Sequence, residues 1–511
     1  MDAQWLRVSQ LVFALGAIAV LALRRYLPRG KGASTVLVGL GLLGTLAYAN
    51  FGTLHEGRFL HVWDAFHYYV GAKYFPELGY QRLYACTAEA DLEAGVPGTA
   101  MRPMRDLATN GRIRVYEALS GPGRCKEAFE PRRWESFTHD VAFFRERVAP
   151  AKWALIQADH GYNATPAWTW LGHRLANLAP ASTVQLTLWA LVDPLLLLAA
   201  VVCLARVFSL EASVLFLLVL GTYFPSTFSW NGGALLRMDW LFLSILGICL
   251  MKRSHPVLAG MAIALAAASR LFPAVLFAGP LLWMLARGRR EPAAIRFLAS
   301  GALTLGALVV LLTSTASGRE EFHGFIQNTV KHAGTPLTNH MGLKTLLSFR
   351  GGEPTAVAKA PGMTDAWRRF KDQRRANAAE ARPLHIALVV GVTLALLVAF
   401  RRRQVEPWEA LTLAWMLVPF LLEMTSYYFV FVASLTPLAT RRPQLGVVLL
   451  VLGAGSQLLA ISGLPDATVY VAQSAWLLAC LVTAASLPRP SDAHAESHMA
   501  APPGGLEPHR M

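Results

Sequence analysis

The sequence predicts an all-α polytopic membrane protein, with about 11–13 transmembrane helices joined by helical extramembrane loops. Three observations carry that expectation. Of 511 residues, 54% are hydrophobic and only 15% charged, with a mean hydropathy of +0.39. The apolar residues gather into runs long enough to cross a hydrocarbon core of roughly 30 Å. The arginines and lysines cluster in the short stretches between those runs.

In chain order, the runs lie near 5–23, 33–50, 183–205, 212–228, 232–250, 256–286, 294–314, 384–400, 407–424, 427–440, 443–461 and 468–486. The first reads as a retained anchor, because its basic cluster follows the apolar run and no small-residue cleavage site is visible. The run 256–286 is long for one helix and short for two, and Arg270 with Pro273 interrupts it, so a broken or hairpin pair is expected. The chain then divides into two N-terminal helices (1–50), a first polar segment (51–182), a transmembrane core (183–314), a second polar segment (315–383), C-terminal helices (384–487) and a tail from 488 to 511. Proline, alanine, histidine and glycine dominate that tail without hydrophobic periodicity, so it is expected to be a disordered cytoplasmic extension.

The net charge of +15 would suggest nucleic acid in a soluble protein, but here it sets topology. Arg24, Arg25, Arg29 and Lys31, then Lys252 and Arg253, Arg287, Arg289 and Arg290, Arg401 to Arg403, and Arg441 and Arg442 all lie in short loops. Placing them inside puts the N-terminus and both polar segments outside, provided that 256–286 crosses twice. The expected location is the inner (plasma) membrane, with the membrane and not nucleic acid as partner. Cys203, Cys249 and Cys480 fall in apolar runs and read as packing residues, whereas Cys86 and Cys125 share the first polar segment and are disulfide candidates.

The start of that segment, residues 55–75 (HEGRFLHVWDAFHYYVGAKYF), crowds Asp64 with His61, His67, Tyr68, Tyr69 and Lys73. Such a group offers hydrogen-bonding chemistry beyond the needs of a spacer, although His and Tyr also pack at interfaces. If the stretch is helical, His67 and Tyr68 lie three and four residues beyond Asp64. Segment 85–150 reads as an insertion whose Arg102, Arg105, Arg112, Arg114, Arg124, Arg132 and Arg133 mix with acids, as a solvated face or an anionic-lipid contact. In the second segment His323, Asn328, Lys331, His332, Asn339, His340 and Lys344 offer donors for phosphate and sugar hydroxyls, or form a surface amphipathic helix. His340 and Lys344 would share a helical face, weakened by Gly342. Nucleotide-binding, HExxH, paired-cysteine zinc and GxSxG motifs are absent.

Five stretches in order, DAFHYYVGAKYFPELGYQRLY (64–84), YNATPAWTWLGHRLANLAP (162–180), 231–290, NHMGLKTLLSFR (339–350) and SYYFVFVASLTPLA (426–439), resemble the successive blocks of polyprenol-phosphate-mannose-dependent α-mannosyltransferases. That branch belongs to the GT-C class of membrane glycosyltransferases. The resemblance implies an outward-facing active site, a polyprenyl-phosphate-linked sugar as donor, a lipid or glycan as acceptor, and an acidic base in the first external loop. Asp64 matches that base. Relatives usually have lysine where ASRLFP (268–273) places Arg270, and an Asn-Gln-Ser type sequence where NHMGL stands at 339–343.

Transfer from a polyprenyl phosphate needs a base for the acceptor hydroxyl and cations for the departing phosphate, but no general acid. Asp64 would be the base, with Glu56 second. Arg270, an ionised group in an apolar stretch, is expected either to face a bound phosphate or to snorkel or pair with Asp239 or Glu423. Further donor-site candidates are His67, Tyr68, Lys73, Asn339, His340 and Lys344. Arg237 and Asp239 read as satisfied locally at a helix start, and Tyr427 and Tyr428 as an interface belt or a sugar platform. No cofactor and no tightly held metal are expected, since the acids around Asp64 are not clustered. The rival readings are a transporter or flippase of lipid-linked sugars, although no internal repeat is visible, and a non-catalytic assembly factor with the same fold.

Overall fold

The computed structural model describes residues 3–24, 32–55, 57–121, 123–288, 290–351 and 366–487. Glu56, Arg25, Arg29, Lys31, Arg289 and the 488–511 tail lie outside the described residues. Within them the protein is helical, with two short antiparallel strand pairs.

Two helices open the chain, α1 (Ala3–Leu23) and α2 (Gly32–Tyr48). The first polar segment contains α3 (Val62–Ala65), α4 (Leu83–Glu93), the pair β1 (Pro103–Arg105) and β2 (Arg112–Arg114), α5 (Pro131–Arg145) and α6 (Pro166–Ala176). The apolar core continues with α7 (Thr183–Ala190), α8 (Val192–Val207), α9 (Leu210–Thr222), α10 (Asp239–Lys252), α11 (Pro256–Ser269), α12 (Ala278–Arg287) and α13 (Pro292–Leu312). The second polar segment holds α14 (Ala316–Ala333), β3 (His340–Met341), α15 (Leu343–Ser348) and α16 (Ala366–Glu380). α17 (Arg382–Arg402), α18 (Pro407–Leu413), β4 (Met424–Thr425), a 3-10 helix over Ser426–Thr440, α19 (Pro443–Ile461) and α20 (Asp466–Ser486) complete the fold.

Six helices are long and apolar enough to cross a membrane: α1, the run Thr183–Val207, α13, α17, α19 and α20. Six shorter apolar helices pack among them. The stretch 256–286 is two helices. Arg270 leaves α11 with extended dihedrals (φ −141°, ψ 129°), and Pro273 starts the next turn, where its missing N–H costs nothing. Two expected runs are shorter than their hydrophobicity suggests. The run expected over 212–228 ends its helix at Thr222, three residues before Pro225, and that over 232–250 becomes helical only at Asp239 because Gly232 and Gly233 precede it in a loop.

The first polar segment has its own core, in which Phe66, Tyr69, Tyr84, Phe137, Phe144 and Trp153 are fully buried. Removing one such aromatic typically costs about 3–5 kcal/mol. The structure joins Cys86 of α4 to Cys125, 39 residues further on and beyond the β1–β2 pair, while Cys203, Cys249 and Cys480 are free thiols. α14 docks on this body through Phe325, through Asn328 to the Tyr162 carbonyl at 3.4 Å, and through Lys331 to the Leu107 carbonyl. Both polar segments therefore occupy one end of the bundle.

The basic loops meet at the other end. Arg24 pairs with Glu211 at 2.6 Å, Arg253 donates to the Arg206 carbonyl at 2.7 Å, Lys252 and Arg441 both reach Glu406, and Arg403 donates to the Ala485 carbonyl at 3.0 Å.

The insertion presents only some of its arginines as a solvated face. Arg105 is buried; Arg102 pairs with fully buried Asp91 at 2.8 Å and Arg133 with Glu77 at 2.7 Å. Arg124 and Arg132 are exposed. Asp91 and Asp140 turn inward while Glu127, Glu130 and Glu135 stay exposed, and a buried carboxylate such as Asp91 draws an arginine in with it.

Candidate active site

Asp64 lies in the first turn of α3. The N-cap residue, His61, accepts the Asp64 amide through Nδ1 at 3.1 Å, and beyond Ala65 the chain widens into a π-turn over Phe66–Val70, a distortion frequent at functional sites. The His61 amide donates to the Gly233 carbonyl at 2.7 Å, tying α3 to the loop before α10. Gly233 has φ +66°, and a Cβ there would stand 1.9 Å from the Phe59 carbonyl oxygen, so only glycine permits this crossing.

That loop delivers Arg237. Its Nη1 lies 2.5 Å from Asp64 Oδ1, with both side chains largely buried. The backbone behind it is held by Asp193 of α8, a fully buried carboxylate that accepts the Arg237 amide at 2.8 and 3.0 Å and the Met238 amide at 3.1 Å. Leu236, just before, has φ +46°, a conformation that costs a non-glycine residue energy and persists only where the surroundings enforce it. The expectation that Arg237 is satisfied at its own helix end is thus corrected: its partner is 173 residues away. Asp239 is satisfied in part locally, accepting the Trp240 amide at 2.8 Å, and in part from α11, accepting the Ser269 hydroxyl at 2.5 Å.

Arg270, at the break after α11, is buried and donates through Nη1 to the Ser269 carbonyl at 2.9 Å. It forms no ion pair with Asp239 or Glu423. Its guanidinium faces the Tyr68 ring at 5.5 Å and the Trp168 ring at 5.9 Å. Tyr68 donates its hydroxyl to Asn163 Oδ1 at 3.0 Å. Tyr427 lies under Arg237 at 4.3 Å and beside Tyr428 at 4.6 Å. Tyr68 and Tyr428 are within electrostatic reach of both guanidinium groups. Asp64, Arg237, Arg270, Tyr68, Tyr427 and Tyr428 therefore form one cluster at the junction of the polar body and the apolar core.

Three buried polar atoms in this cluster have no partner: Asp64 Oδ2, Arg237 Nε and Arg270 Nε. Burial works to raise the Asp64 carboxyl, but the adjacent Arg237 guanidinium holds it below the ordinary aspartate value. Burial pushes His61 down to about 3, so it is a neutral acceptor. The site thus holds an ionised carboxylate with one oxygen free to accept a hydrogen bond, and two cations suited to an anion.

Other expected site residues fall elsewhere. His67 is spent inside the polar body, with Nδ1 at 2.8 Å from the Trp63 carbonyl and Nε2 at 2.6 Å from the Tyr84 hydroxyl. Lys73 pairs with fully buried Asp140 at 2.7 Å and also reaches the Tyr69 hydroxyl and the Ala179 carbonyl, so its ammonium is committed inside the polar body. His340 and Lys344 do not share a helical face. His340 is in β3, paired with Thr425 of β4, and Gly342 (φ +125°) turns the chain before α15, in which Lys344 is the second residue. They join a second polar cluster, in which Glu423 receives Arg374 at 2.6 Å, Thr345 at 2.9 Å and Lys344 at 3.2 Å. Burial lowers His340 to about 4. The Asn339 carbonyl accepts the Ser426 amide at 2.9 Å, so residues 423–428 connect this cluster to Tyr427 and Tyr428. Asp193 went unnoticed in the sequence, although a lone acid in the run TVQLTLWALVDPLLLLAAVV was a visible signal.

Among the described residues, no group of three His, Cys, Asp or Glu side chains could hold a metal ion. Comparison of the chain with protein-family profiles, curated proteins and solved structures finds no match.

Proposed function

We propose that the protein is a GT-C-like glycosyltransferase that moves a sugar, mannose by sequence resemblance, from a polyprenyl phosphate to a lipid or glycan acceptor, with inversion. The carrying observation is the buried Asp64–Arg237 pair beside Arg270, with an unpartnered atom on each of the three residues. In this reading the acceptor hydroxyl attacks the anomeric carbon and gives its proton to Asp64 Oδ2. The bond from that carbon to the phosphate oxygen breaks with its electron pair, and Arg270 and Arg237 hold the resulting phosphate. Tyr427 and Tyr428 offer ring faces to the sugar. Asp193 acts only through Arg237, as a positioning residue.

The membrane arrangement that fits has the shorter apolar helices and α10 crossing as well as the six long ones. The basic loops then face the cytoplasm of an inner (plasma) membrane, and Asp64 lies on the outer side.

The test is to incubate detergent-purified protein with radiolabelled polyprenyl-phosphate mannose and membrane lipid extract, then look for labelled product. Asp64→Asn keeps the volume but removes basicity, and should lower turnover by about 10²–10⁴-fold. A flippase would leave the sugar–phosphate bond intact, so absence of any transferred label from the wild-type protein would reject the reading.

A further inference from the structure

The second polar cluster opens into a cavity of about 300 Å³ where α15, α16 and the first turn of α17 meet. Its walls present Lys344, Arg374, Arg375 and Arg382 against one carboxylate of the lining, Glu423; Arg375 also pairs with Asp372, outside the lining, at 2.9 Å, and the Ser348 hydroxyl accepts from Arg374 at 2.9 Å. Glu423 is already committed to Arg374, Thr345 and Lys344. It fixes those cations in place without neutralising the lining. The Lys344 side chain is 34% exposed, and its ammonium has more donors than this one ion pair uses. Arg375 is oriented through Nε to the Gly334 carbonyl at 2.7 Å, and Arg382 is exposed.

The cavity's position selects its ligand. Arg382 is the first residue of α17, one of the six helices long enough to span a membrane. The basic helix α16 leads directly into it, and Leu384 and Ile386, just beyond, are 53% and 54% exposed. A basic pocket at the end of a span, with exposed aliphatic side chains on the span below it, suits a molecule with a phosphate head and acyl chains. We propose that this cavity binds the phosphate of an anionic phospholipid in the leaflet on the side of the polar segments. The inference does not depend on the transferase reading, since it uses none of Asp64, Arg237 or Arg270.

Native mass spectrometry of the full chain, titrated in detergent with phosphatidylglycerol, phosphatidylcholine or inorganic phosphate, tests it. Phosphatidylglycerol should be retained in preference to phosphatidylcholine. Arg382→Gln should weaken that retention about fivefold, and Arg375→Gln should weaken it similarly. Arg382 has an exposed side chain, so its variant is expected to fold, and Lys126→Gln, an exposed lysine on the insertion, serves as the control that leaves retention unchanged. Unchanged phosphatidylglycerol retention in both arginine variants would overturn the proposal, as would equal retention of the two lipids. Displacement of phosphatidylglycerol by inorganic phosphate at equal concentration would reassign the cavity to free phosphate.

Discussion

Asp64 Oδ1 and Arg237 Nη1 stand 2.5 Å apart in a largely buried ion pair that joins the polar body to the loop leading into the apolar core. Two opposed effects act on the carboxyl: burial, which favours the neutral acid, and the guanidinium, which favours the anion and wins.

That balance predicts a pH dependence. A carboxyl held below its ordinary value stays ionised until the pH falls beneath about 3.9, so the acid limb of wild-type transfer should lie below that point. Arg237→Gln removes the cation and leaves the burial, so the limb should move upward, toward neutral pH. Arg237→Lys should move it less. A limb that stays in place in Arg237→Gln would mean that Asp64 is not the titrating base.

Arg270 separates charge from shape. Arg270→Ala should weaken use of the polyprenyl-phosphate donor, and Arg270→Lys should recover part of it, since lysine keeps the charge but loses the planar two-pronged grip. The measurement is donor KM against kcat. Normal donor KM in purified Arg270→Ala would confine the residue to stacking on Tyr68 and Trp168.

Lys73 should behave differently from Arg270. Its partner Asp140 is fully buried, and removing one member of such a pair typically costs about 3–5 kcal/mol. Lys73→Met should therefore lower the thermal midpoint of the purified protein while the folded fraction keeps its donor KM. A raised donor KM with unchanged stability would restore Lys73 to the substrate site.

Sidedness can be read with an impermeant thiol reagent. In a Cys203→Ser background, Thr109→Cys on the polar segment should be labelled from outside intact cells, and Arg402→Cys at the basic end only after the inner face is opened. The reverse pattern would place Asp64 on the cytoplasmic side and remove the case for an outward-facing site.

The helical membrane architecture is legible along the chain, because runs of apolar residues have no alternative to being buried or facing lipid, and their length sets what they can cross. The sequence also reveals the break at Arg270, since a charge followed by a proline three residues later interrupts any apolar helix. It could mark Asp64 as chemically unusual, but it could not distinguish Asp64 from Lys73 or His67 by role, as all three sit within ten residues. Which of them turn inward depends on how distant segments pack together. Lys73 and His67 meet Asp140 and Tyr84 inside the polar body, while Asp64 faces a loop brought close by Gly233 and pinned by Asp193. The physical reason is that a buried charge must find an opposite partner, and that partner is chosen by which segments the fold packs together, not by distance along the chain.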